Sequence, residues 1–377
     1  MMKIAFVVGG NYRSSLYAVT KGIINYLRSK GHQVNLIFLD VPDDSLKDGD
    51  QYIDIKGISY SSLHSSNGIL FRLMKNLLSR HVYEYIFSRY FCKQIERKLV
   101  DYDCVFVHGV ILVPLHSLKL PFYGVIHSCK YENFLGRRSS LTRFFYQEVY
   151  KKIYGNKYLL SVSDSVRLDM LSKMKAKPIS IETIYNGVNF DEIIERARQG
   201  KTENVPKNFI MAAGRPDRTK RFDILLKAYA KSRQILPLVI FGEGRKLNEL
   251  KKLAVKLGIE NKVIFWGFCN DLLPYFKQAS AYILSSDVEG LPTVVIESLA
   301  VGTPVVATDV GGVSELLGER LKEWIVPRRD VDALAKKIDQ VLEYPPSVGP
   351  EDLAFLDYRV VGKKYEKLSE KMKNGLL

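Results

Sequence analysis

The sequence contains few of the residues from which a disulfide or zinc framework is built. Its four cysteines are spread over 377 residues, and no two of them form a Cys-x-x-Cys pair. Small secreted domains and zinc modules need denser and more regular cysteine spacing. We therefore expect Cys92, Cys104, Cys129 and Cys269 to be free thiols in a reducing compartment.

Long apolar runs are missing as well. No stretch reaches the roughly 18 uncharged apolar residues from which a membrane-spanning helix is built. Residues 1–10 are too short and too rich in β-branched side chains for a signal peptide. Neither a Gly-x-x-x-x-Gly-Lys-Ser/Thr phosphate loop nor a Gly-x-Ser-x-Gly elbow occurs. From these features we expect a cytoplasmic protein.

Basic residues outnumber acidic ones, and the excess is uneven. Residues 1–187 carry 26 Lys and Arg against 15 Asp and Glu, whereas residues 188–377 carry 30 against 26. The first part thus holds net +11 of the total of +15. In residues 68–99 and 130–157 the bases alternate with aromatic side chains, a combination that suits an anionic membrane surface. A solvated helix face over an apolar core gives the same pattern, and both interpretations stay open.

Apolar β-branched runs alternate with helical patterns along the chain, which is typical of an α/β fold with parallel sheets. The first run, Ile4–Val8, is followed by the turn Gly9-Gly10, a helical pattern over 16–29 and a strand pattern over 34–39. This β-α-β opening is of the nucleotide-binding type. A second series of the same kind begins at Phe209.

The domain boundary is predicted at the turn Asn186-Gly187, where the first series of strands ends. We predict a first domain of residues 1–187 that binds the acceptor of a reaction and a second of residues 188–345 that binds a nucleotide. Residues 346–377 are predicted to contain a helix that returns to the first domain.

The stretch from Ala281 to Ala307 reads as strand, loop, helix and strand. Glu289 lies in the loop, Pro292 opens the helix, Glu297 lies inside it and Gly302 follows its end. A helix N-terminus offers free N–H groups to a phosphate, and carboxylates accept hydrogen bonds from sugar hydroxyls. The stretch indicates a site for a phosphate-bearing sugar, and the alternative is an ordinary surface loop and amphipathic helix.

This stretch resembles the Glu-x7-Glu region of retaining glycosyltransferases of family four, which have the GT-B fold. The matching residues are Glu289-Gly290-Leu291-Pro292-Thr293, Glu297, the run 302–307 and Gly311-Gly312. The resemblance implies two Rossmann-like domains facing a cleft. It also implies that Glu289 contacts the donor sugar, that Glu297 contacts the nucleotide ribose, and that Gly290 to Thr293 approach the donor.

Further residues resemble other parts of the family's site. Gly214-Arg215 and Lys220 resemble its phosphate clamp, and Arg and Lys are suited to phosphate in their own right. The resemblance implies that Gly9 and Gly10 approach the donor phosphates and the acceptor. It also implies that His127 lies near the sugar and the acceptor and that Phe268 contacts the base. His108 ends a predicted strand and is a weaker candidate.

The resemblance implies transfer of a sugar from a UDP- or GDP-sugar to a hydroxyl, on a lipid-linked acceptor or another cell-envelope glycan precursor. We expect a front-face mechanism with no metal and no cofactor beyond the donor, at the inner face of the membrane. The pairs Asp48/Asp50 and Asp101/Asp103 match the Asp-x-Asp of metal-dependent sugar transferases. Neither lies at a predicted strand end beside the phosphate-binding residues, so we interpret both as chance.

Three alternatives remain at this point. A nucleotide-sugar epimerase would use the same fold and donor. A glycoside hydrolase would use Glu289 and Glu297 as its pair of carboxyl groups across a sugar bond. A non-catalytic basic module would bind nucleic acid through the basic stretches, a partner that we do not expect.

Overall fold

The computed structural model describes residues 1–376 apart from 11, 13–14, 41–45, 47–49, 54–79 and 137. Within these ranges the chain forms two compact units. The first unit comprises Met1–Val188 together with Leu356–Leu377, and the second comprises Asn189–Phe355. The chain therefore leaves the first unit once and returns to it near its end.

The first unit contains a sheet of seven parallel strands in the order β3-β2-β1-β4-β5-β6-β7. Its central strands are buried apolar runs, as parallel sheets covered on both faces require. The strands are β1 Lys3–Gly10, β2 Gln33–Asp40, β3 Gln51–Tyr52, β4 Cys104–His108, β5 Tyr123–Ile126, β6 Tyr158–Ser161 and β7 Ser180–Thr183.

Helices connect these strands. They are α1 Ser15–Ser29, α2 Arg80–Ile86, α3 Ser88–Leu99, α4 Ser140–Tyr154 and α5 Asp164–Leu168, with a 3-10 turn at Gly109–Leu112 and π-helical turns at Tyr131–Leu135 and Asp169–Lys173. The helical pattern over 68–99 forms two helices in its described part, divided at Phe87. The Ser163 hydroxyl caps α5 by accepting the Val166 N–H at 3.2 Å.

The second unit contains six parallel strands in the order β10-β9-β8-β11-β12-β13. These are β8 Ile210–Ala213, β9 Leu238–Phe241, β10 Val263–Gly267, β11 Ala281–Leu284, β12 Val305–Thr308 and β13 Ile325–Val326. The order places β8 and β11 at the centre of the sheet. The loop after β8 contains the predicted phosphate clamp, and the loop after β11 contains Glu289.

The helices of the second unit are α6 Phe190–Gln199, α7 Phe222–Lys231, α8 Leu247–Lys256, α9 Leu273–Gln278, α10 Thr293–Ala300, α11 Val313–Leu321 and α12 Val331–Glu343. The sequence analysis did not predict α6, which begins soon after the predicted boundary at Asn186-Gly187. The Asn189 side chain caps this helix by accepting the Glu192 N–H at 3.2 Å. Asn followed three residues later by Glu is a start signal that could have revealed this helix.

The last helix, α13 Tyr358–Lys373, packs on α1 of the first unit. Gly362 permits this contact, since a Cβ there would lie 2.3 Å from Tyr26 Cδ1. The Tyr26 hydroxyl donates to Glu366 at 3.2 Å, and His32 Nε2 lies 3.0 Å from the same carboxylate. Among the helices within the described ranges, none is long and apolar enough to cross a membrane.

Candidate active site

Three glycine turns lie side by side at the carboxyl edge of the second sheet. Gly214 follows β8, Gly242 follows β9 and Gly267 ends β10. A Cβ on Gly242 would lie only 2.0 Å from the Gly214 carbonyl oxygen, and both residues have positive φ. Only glycine allows this approach without strain. The predicted Gly214 therefore lies where neighbouring loops touch.

The loop that carries Glu289 is tied to the loop after β8. The Asp287 N–H donates to the Thr219 carbonyl at 2.7 Å, and the Ser285 hydroxyl donates to the Lys220 carbonyl at 2.9 Å. On its other side the Gly312 N–H donates to the Gly290 carbonyl at 2.7 Å. Backbone bonds at both ends thus fix where Glu289 stands.

Lys220 and Glu289 form an ion pair in this second unit. Lys220 Nζ lies 2.7 Å from Glu289 Oε1, and the Ser286 hydroxyl donates to the same oxygen at 2.6 Å. Gly214 makes room for the lysine, because a Cβ there would lie 2.9 Å from Lys220 Cε. The structure thus brings together three predicted residues, Gly214, Lys220 and Glu289.

The N-terminus of α10 follows directly. Pro292 occupies its cap position and makes no side-chain capping bond to the first N–H groups of the helix. These groups carry the positive end of the helix dipole, which favours a phosphate. Leu291 and Pro292 are buried, whereas Thr293 is partly exposed. Gly302 has φ +86 after the end of the helix, as its position predicted.

Glu297 lies one turn further into α10. Burial raises its pKa to about 7, Arg196 opposes the rise, and Asp271 adds to it. Arg196 and Asp271 pair with each other at 3.1 Å. A carboxyl group that titrates near neutral pH can accept hydrogen bonds as a carboxylate or donate one as an acid.

Asp287 is a buried carboxylate that connects loops at the carboxyl edge of the second sheet, and the sequence analysis did not identify it as a site residue. Asp287 accepts Arg329 Nε at 3.0 Å and Nη2 at 2.9 Å, and it accepts Arg221 Nη1 at 3.0 Å. Burial opposes its ionisation, but the bonds from Arg329 and Arg221 outweigh burial and lower the pKa of Asp287. Its place two residues before Glu289 is the one signal in the sequence.

Arg215 and Phe268 lie at the same carboxyl edge, but among the described residues neither forms a hydrogen bond or ion pair with Lys220 or Glu289. Arg215 is exposed and forms no ion pair within the described ranges. Phe268 follows β10 and is exposed. An open pocket of 540 Å³ adjoins this strand end, lined in part by Arg245, Lys251 and Trp266.

The first unit collects the other predicted residues at the carboxyl edge of its own sheet. Gly9 and Gly10 end β1, His108 ends β4 and His127 follows β5, and these three strands are neighbours. His108 Nδ1 lies 3.1 Å from His127 Nε2. Burial lowers the pKa of His127 to about 3, with Lys130 adding to the effect. His127 is therefore a neutral hydrogen-bonding group.

Lys130 is a second residue that the sequence analysis did not single out as part of the site. Its side chain is buried, and burial lowers its pKa to about 8 while Asp169 opposes the change. The Asp169 carboxylate accepts the Tyr131 N–H at 2.9 Å. The signal available was position alone, three residues after His127.

One residue of each Asp-x-Asp pair accepts hydrogen bonds within the first unit. Asp103 accepts the Lys3 N–H at 2.7 Å, and Asp50 accepts the Leu36 N–H and the Arg28 guanidinium, each at 2.9 Å. Asp48 lies outside the described residues. Within the described ranges no group of His, Cys, Asp and Glu could hold a metal ion.

Comparison with known proteins gives the class of the molecule. Residues 18–192 match the family model described as Glycosyltransferase Family 4, and residues 193–353 match the one described as Glycosyl transferases group 1. HepE of Anabaena, solved in complex with UDP and glucose, superposes with a TM-score of 0.72 at 17% identity, covering 98% of this chain and 99% of that chain. The chain is a glycosyltransferase, and its two Rossmann-like domains have the predicted GT-B fold.

Two relatives narrow the class. An uncharacterized glycosyltransferase of Methanocaldococcus jannaschii is 27% identical over 380 residues, covering 93% of this chain and 89% of that protein. The N-acetylgalactosamine-N,N'-diacetylbacillosaminyl-diphospho-undecaprenol 4-alpha-N-acetylgalactosaminyltransferase of Campylobacter jejuni is 34% identical over 152 residues, covering 40% of this chain and 41% of that protein. The chain belongs to the family-four-like group of GT-B glycosyltransferases.

Proposed function

We propose that this glycosyltransferase moves a sugar from a nucleotide diphosphate-sugar to a hydroxyl acceptor with retention of the anomeric configuration. The observation that carries the proposal is the Lys220–Glu289 pair, 2.7 Å from Nζ to Oε1, in the loop region leading into α10. A cation and a helix N-terminus suit a diphosphate, and an adjacent carboxylate suits sugar hydroxyls. Arg215, exposed at the neighbouring turn, adds a planar donor for phosphate.

In the proposed reaction the bond between the anomeric carbon and the diphosphate oxygen breaks. The acceptor oxygen bonds to the same face of that carbon, and the acceptor proton passes to an oxygen of the leaving diphosphate. Negative charge grows on the diphosphate as the sugar becomes cationic. Lys220, Arg215 and the N–H groups of α10 stabilise that charge without a metal ion, while Glu289 orients the sugar.

The donor end of the proposal rests on the second unit. Glu297 would accept hydrogen bonds from the ribose hydroxyls, and Phe268 would lie beside the base. Gly290 to Thr293 would pass close to the diphosphate. HepE of Anabaena was solved with UDP and glucose, which supports a uridine diphosphate donor, with a guanosine diphosphate donor as the alternative.

The acceptor end of the proposal rests on the first unit. His127, neutral at working pH, would place the acceptor hydroxyl, and Gly9 and Gly10 would leave room for it. The Campylobacter jejuni relative is named for a diphospho-undecaprenol-linked saccharide, which supports a lipid-linked acceptor. The basic excess of residues 1–187 favours attachment to an anionic membrane surface. Arg72, Lys75 and Arg137, which contribute to that excess, lie outside the described residues.

An epimerase acting on a nucleotide sugar remains the alternative, because it would need the same donor contacts. It would convert the donor sugar without any acceptor, so product analysis separates the two reactions. We do not propose a hydrolase or a nucleic-acid-binding module, because both matching family models describe glycosyltransferases.

Removing one charge of the pair tests the proposal. Lys220→Ala and Glu289→Gln should each lower turnover about 10²–10³-fold, since each removes one preorganised contact to the transition state. Release of UDP or GDP from a panel of nucleotide sugars, with a membrane extract as acceptor, measures turnover. Arg215→Ala should lower it in the same direction.

Lys231→Ala is the matched control, because Lys231 pairs with Asp332 at 2.6 Å on an exposed surface of the same unit. It should leave turnover unchanged. Near-normal turnover in both Lys220→Ala and Glu289→Gln would refute the proposed roles. A product with inverted anomeric configuration would refute retention, and loss of activity in a chelator that added metal restores would refute the metal-free mechanism.

A further inference from the structure

The first two turns of α4 present large apolar side chains to solvent. Leu141 is 81% exposed, Phe144 is 65% exposed and Phe145 is 52% exposed. Their spacing of three and four residues puts them on one face of the helix. Scattered single apolar side chains are ordinary on a protein surface, but a contiguous group of this size marks an interaction site.

The remainder of α4 shows that this exposure is not a loosely packed helix. Tyr150 is buried, and its ring centroid lies 5.9 Å from that of His81 and 6.2 Å from that of Phe134. The Gln147 amide donates to the Lys173 carbonyl at 3.0 Å. The helix is therefore held from about Gln147 onward, and its first turns project beyond the packed region.

Two arginines accompany the exposed apolar group. The Arg138 guanidinium lies 4.0 Å from the centroid of the Tyr146 ring, and its Nε donates to the Phe134 carbonyl at 3.0 Å. Arg143 Nη2 donates to the Arg138 carbonyl at 2.9 Å. Both arginines are partly exposed, and neither forms an ion pair with any residue that the structure describes, so their charges are not neutralised within the described part of the protein.

The acidic residues of the same segment do not cancel these charges. Glu148 pairs with Lys151 at 2.6 Å, and Glu132 pairs with Lys173. Lys152 is exposed and adds a further positive charge to α4. The apolar group and its surroundings are thus net basic.

We propose that Leu141, Phe144 and Phe145 insert into the interface of an anionic lipid bilayer, with Arg138 and Arg143 at the lipid headgroups. Apolar side chains in the interface combined with bases near anionic lipid give reversible attachment without a spanning helix. A second copy of the chain fits less well, because two copies of a net basic surface repel each other. The inference rests on the membrane-side acceptor of the proposed function and names the surface that reaches it.

A tryptophan added at Leu141, Phe144 or Phe145 reports insertion when its emission is compared with that of the parent protein, which has two tryptophans of its own. Phe144→Trp should show blue-shifted, stronger emission with vesicles of mixed phosphatidylglycerol and phosphatidylcholine, and no change with phosphatidylcholine alone. Val255→Trp is the matched control, because Val255 is equally exposed on a helix of the other unit. Its emission should not respond. An unchanged Phe144→Trp spectrum with anionic vesicles would overturn the proposal.

Sedimentation with the same vesicles tests the energetic contribution. Replacing Leu141, Phe144 and Phe145 with Ser should lower the partition coefficient about tenfold for each side chain that enters the bilayer, since removing one large apolar side chain from water contributes about that factor. Replacing Arg138 and Arg143 with Gln should weaken binding and reduce its salt dependence. Unaltered binding of the serine variant would overturn the proposal, as would a dimer of the free protein that the serine substitutions dissociate.

Stabilisation of the same variants by UDP separates this inference from the donor chemistry. The serine variant should keep the UDP-induced rise in melting temperature of the parent protein, which shows that it is folded. If UDP and GDP do not raise the melting temperature of the parent protein while vesicle binding follows the pattern above, the proposed donor is wrong. The membrane contact through Leu141, Phe144 and Phe145 is then still supported.

Discussion

Glu297 is a site residue whose charge the fold has altered. Its pKa of about 7, raised mainly by burial, means that a small change in pH changes its protonation state. The surrounding charged groups are Arg196, which favours the carboxylate, and Asp271, which disfavours it. If Glu297 accepts hydrogen bonds from ribose hydroxyls, only the carboxylate can accept them through both oxygens.

Binding of UDP-glucose should therefore weaken as the pH falls through about 7, because Glu297 gains a proton there. Glu297→Gln should bind weakly at every pH and lack this dependence. Titration calorimetry with UDP-glucose measures both effects, since its diphosphate diester does not titrate near neutral pH. Glu319→Gln, at an exposed site, should behave like the parent protein. Equal affinity of Glu297→Gln and the parent above pH 7 would remove the ribose role.

The same group links folding to pH. Its pKa in the folded state, about 7, lies above the ordinary value of 4.5, so between these values the folded protein holds a proton that the unfolded chain has lost. The stability that neutral Glu297 provides is fully present below about pH 4.5 and is lost as the pH rises to about 7. When denaturant unfolding is measured between about pH 4.5 and 7, the free energy of unfolding of Glu297→Gln should lack this part of the pH dependence.

Asp287 joins three loops of the second unit. Arg221 lies in the loop after β8, Asp287 in the loop after β11 and Arg329 in the loop after β13. Arg221 is the neighbour of Lys220 and Asp287 precedes Glu289 by two residues, so the charged group fixes both members of the proposed catalytic pair. We therefore propose that Asp287 acts as a positioning residue for Lys220 and Glu289.

Asp287→Asn should lower kcat about tenfold to a hundredfold with a smaller effect on KM, because slight misplacement of reacting groups costs rate. It should also lower the free energy of unfolding by about 2 kcal/mol, since the buried carboxylate loses its charge-assisted hydrogen bonds, while Arg221 keeps its pair with Asp223 and the Arg329 side chain is already 63% exposed. Steady-state kinetics and denaturant unfolding measure the two effects.

Variants of Arg329 separate positioning from stability. Arg329→Ala removes both the charge and the contact, whereas Arg329→Lys keeps the charge but loses the two-point contact. Relative to Arg329→Ala, Arg329→Lys should therefore restore the free energy of unfolding more fully than it restores kcat. Asp332→Asn, at an exposed pair in the same unit, is the control. A stability loss in Asp287→Asn with kcat unchanged would mean that the network has only a structural role.

The chain as a whole consists of two units, and its last helix belongs to the first of them. Tyr365 of α13 is buried, with its ring centroid 4.8 Å from that of Phe106 and 5.9 Å from that of Phe6. The core of the first unit is therefore completed by residues that follow the entire second unit in sequence. Stability of the first unit depends on the chain end, whereas donor binding is proposed for the second.

Tyr365→Ala should destabilise the first unit by about 3–5 kcal/mol, the usual effect of removing a buried aromatic side chain. It should leave the UDP-induced stabilisation of the second unit intact. Differential scanning calorimetry with and without UDP distinguishes these transitions. Tyr344→Ala, at an exposed position, is the control. Loss of the UDP effect in Tyr365→Ala would contradict the assignment of donor binding to the second unit alone.

The amino-acid sequence determined the local elements and the class of the protein. Ala281–Leu284 is an uninterrupted apolar run, and it forms the central strand β11 because only a buried parallel strand satisfies such a run. Pro292 and Gly302 marked the ends of α10 because each residue suits one end of a helix. The helices α6 and α9 were not predicted, although Asn189 and Pro274 mark their first turns.

Only the tertiary structure decided which side chains meet. Lys220 and Glu289 are 69 residues apart, and Asp287 and Arg329 are 42 residues apart, yet both pairs form because the order of strands brings their loops to one edge of the sheet. Burial of Lys130 and exposure of Phe144 also depend on neighbouring elements. Local patterns encode the backbone conformation and the buried face of one element, whereas contacts between loops depend on how the strands are ordered and aligned.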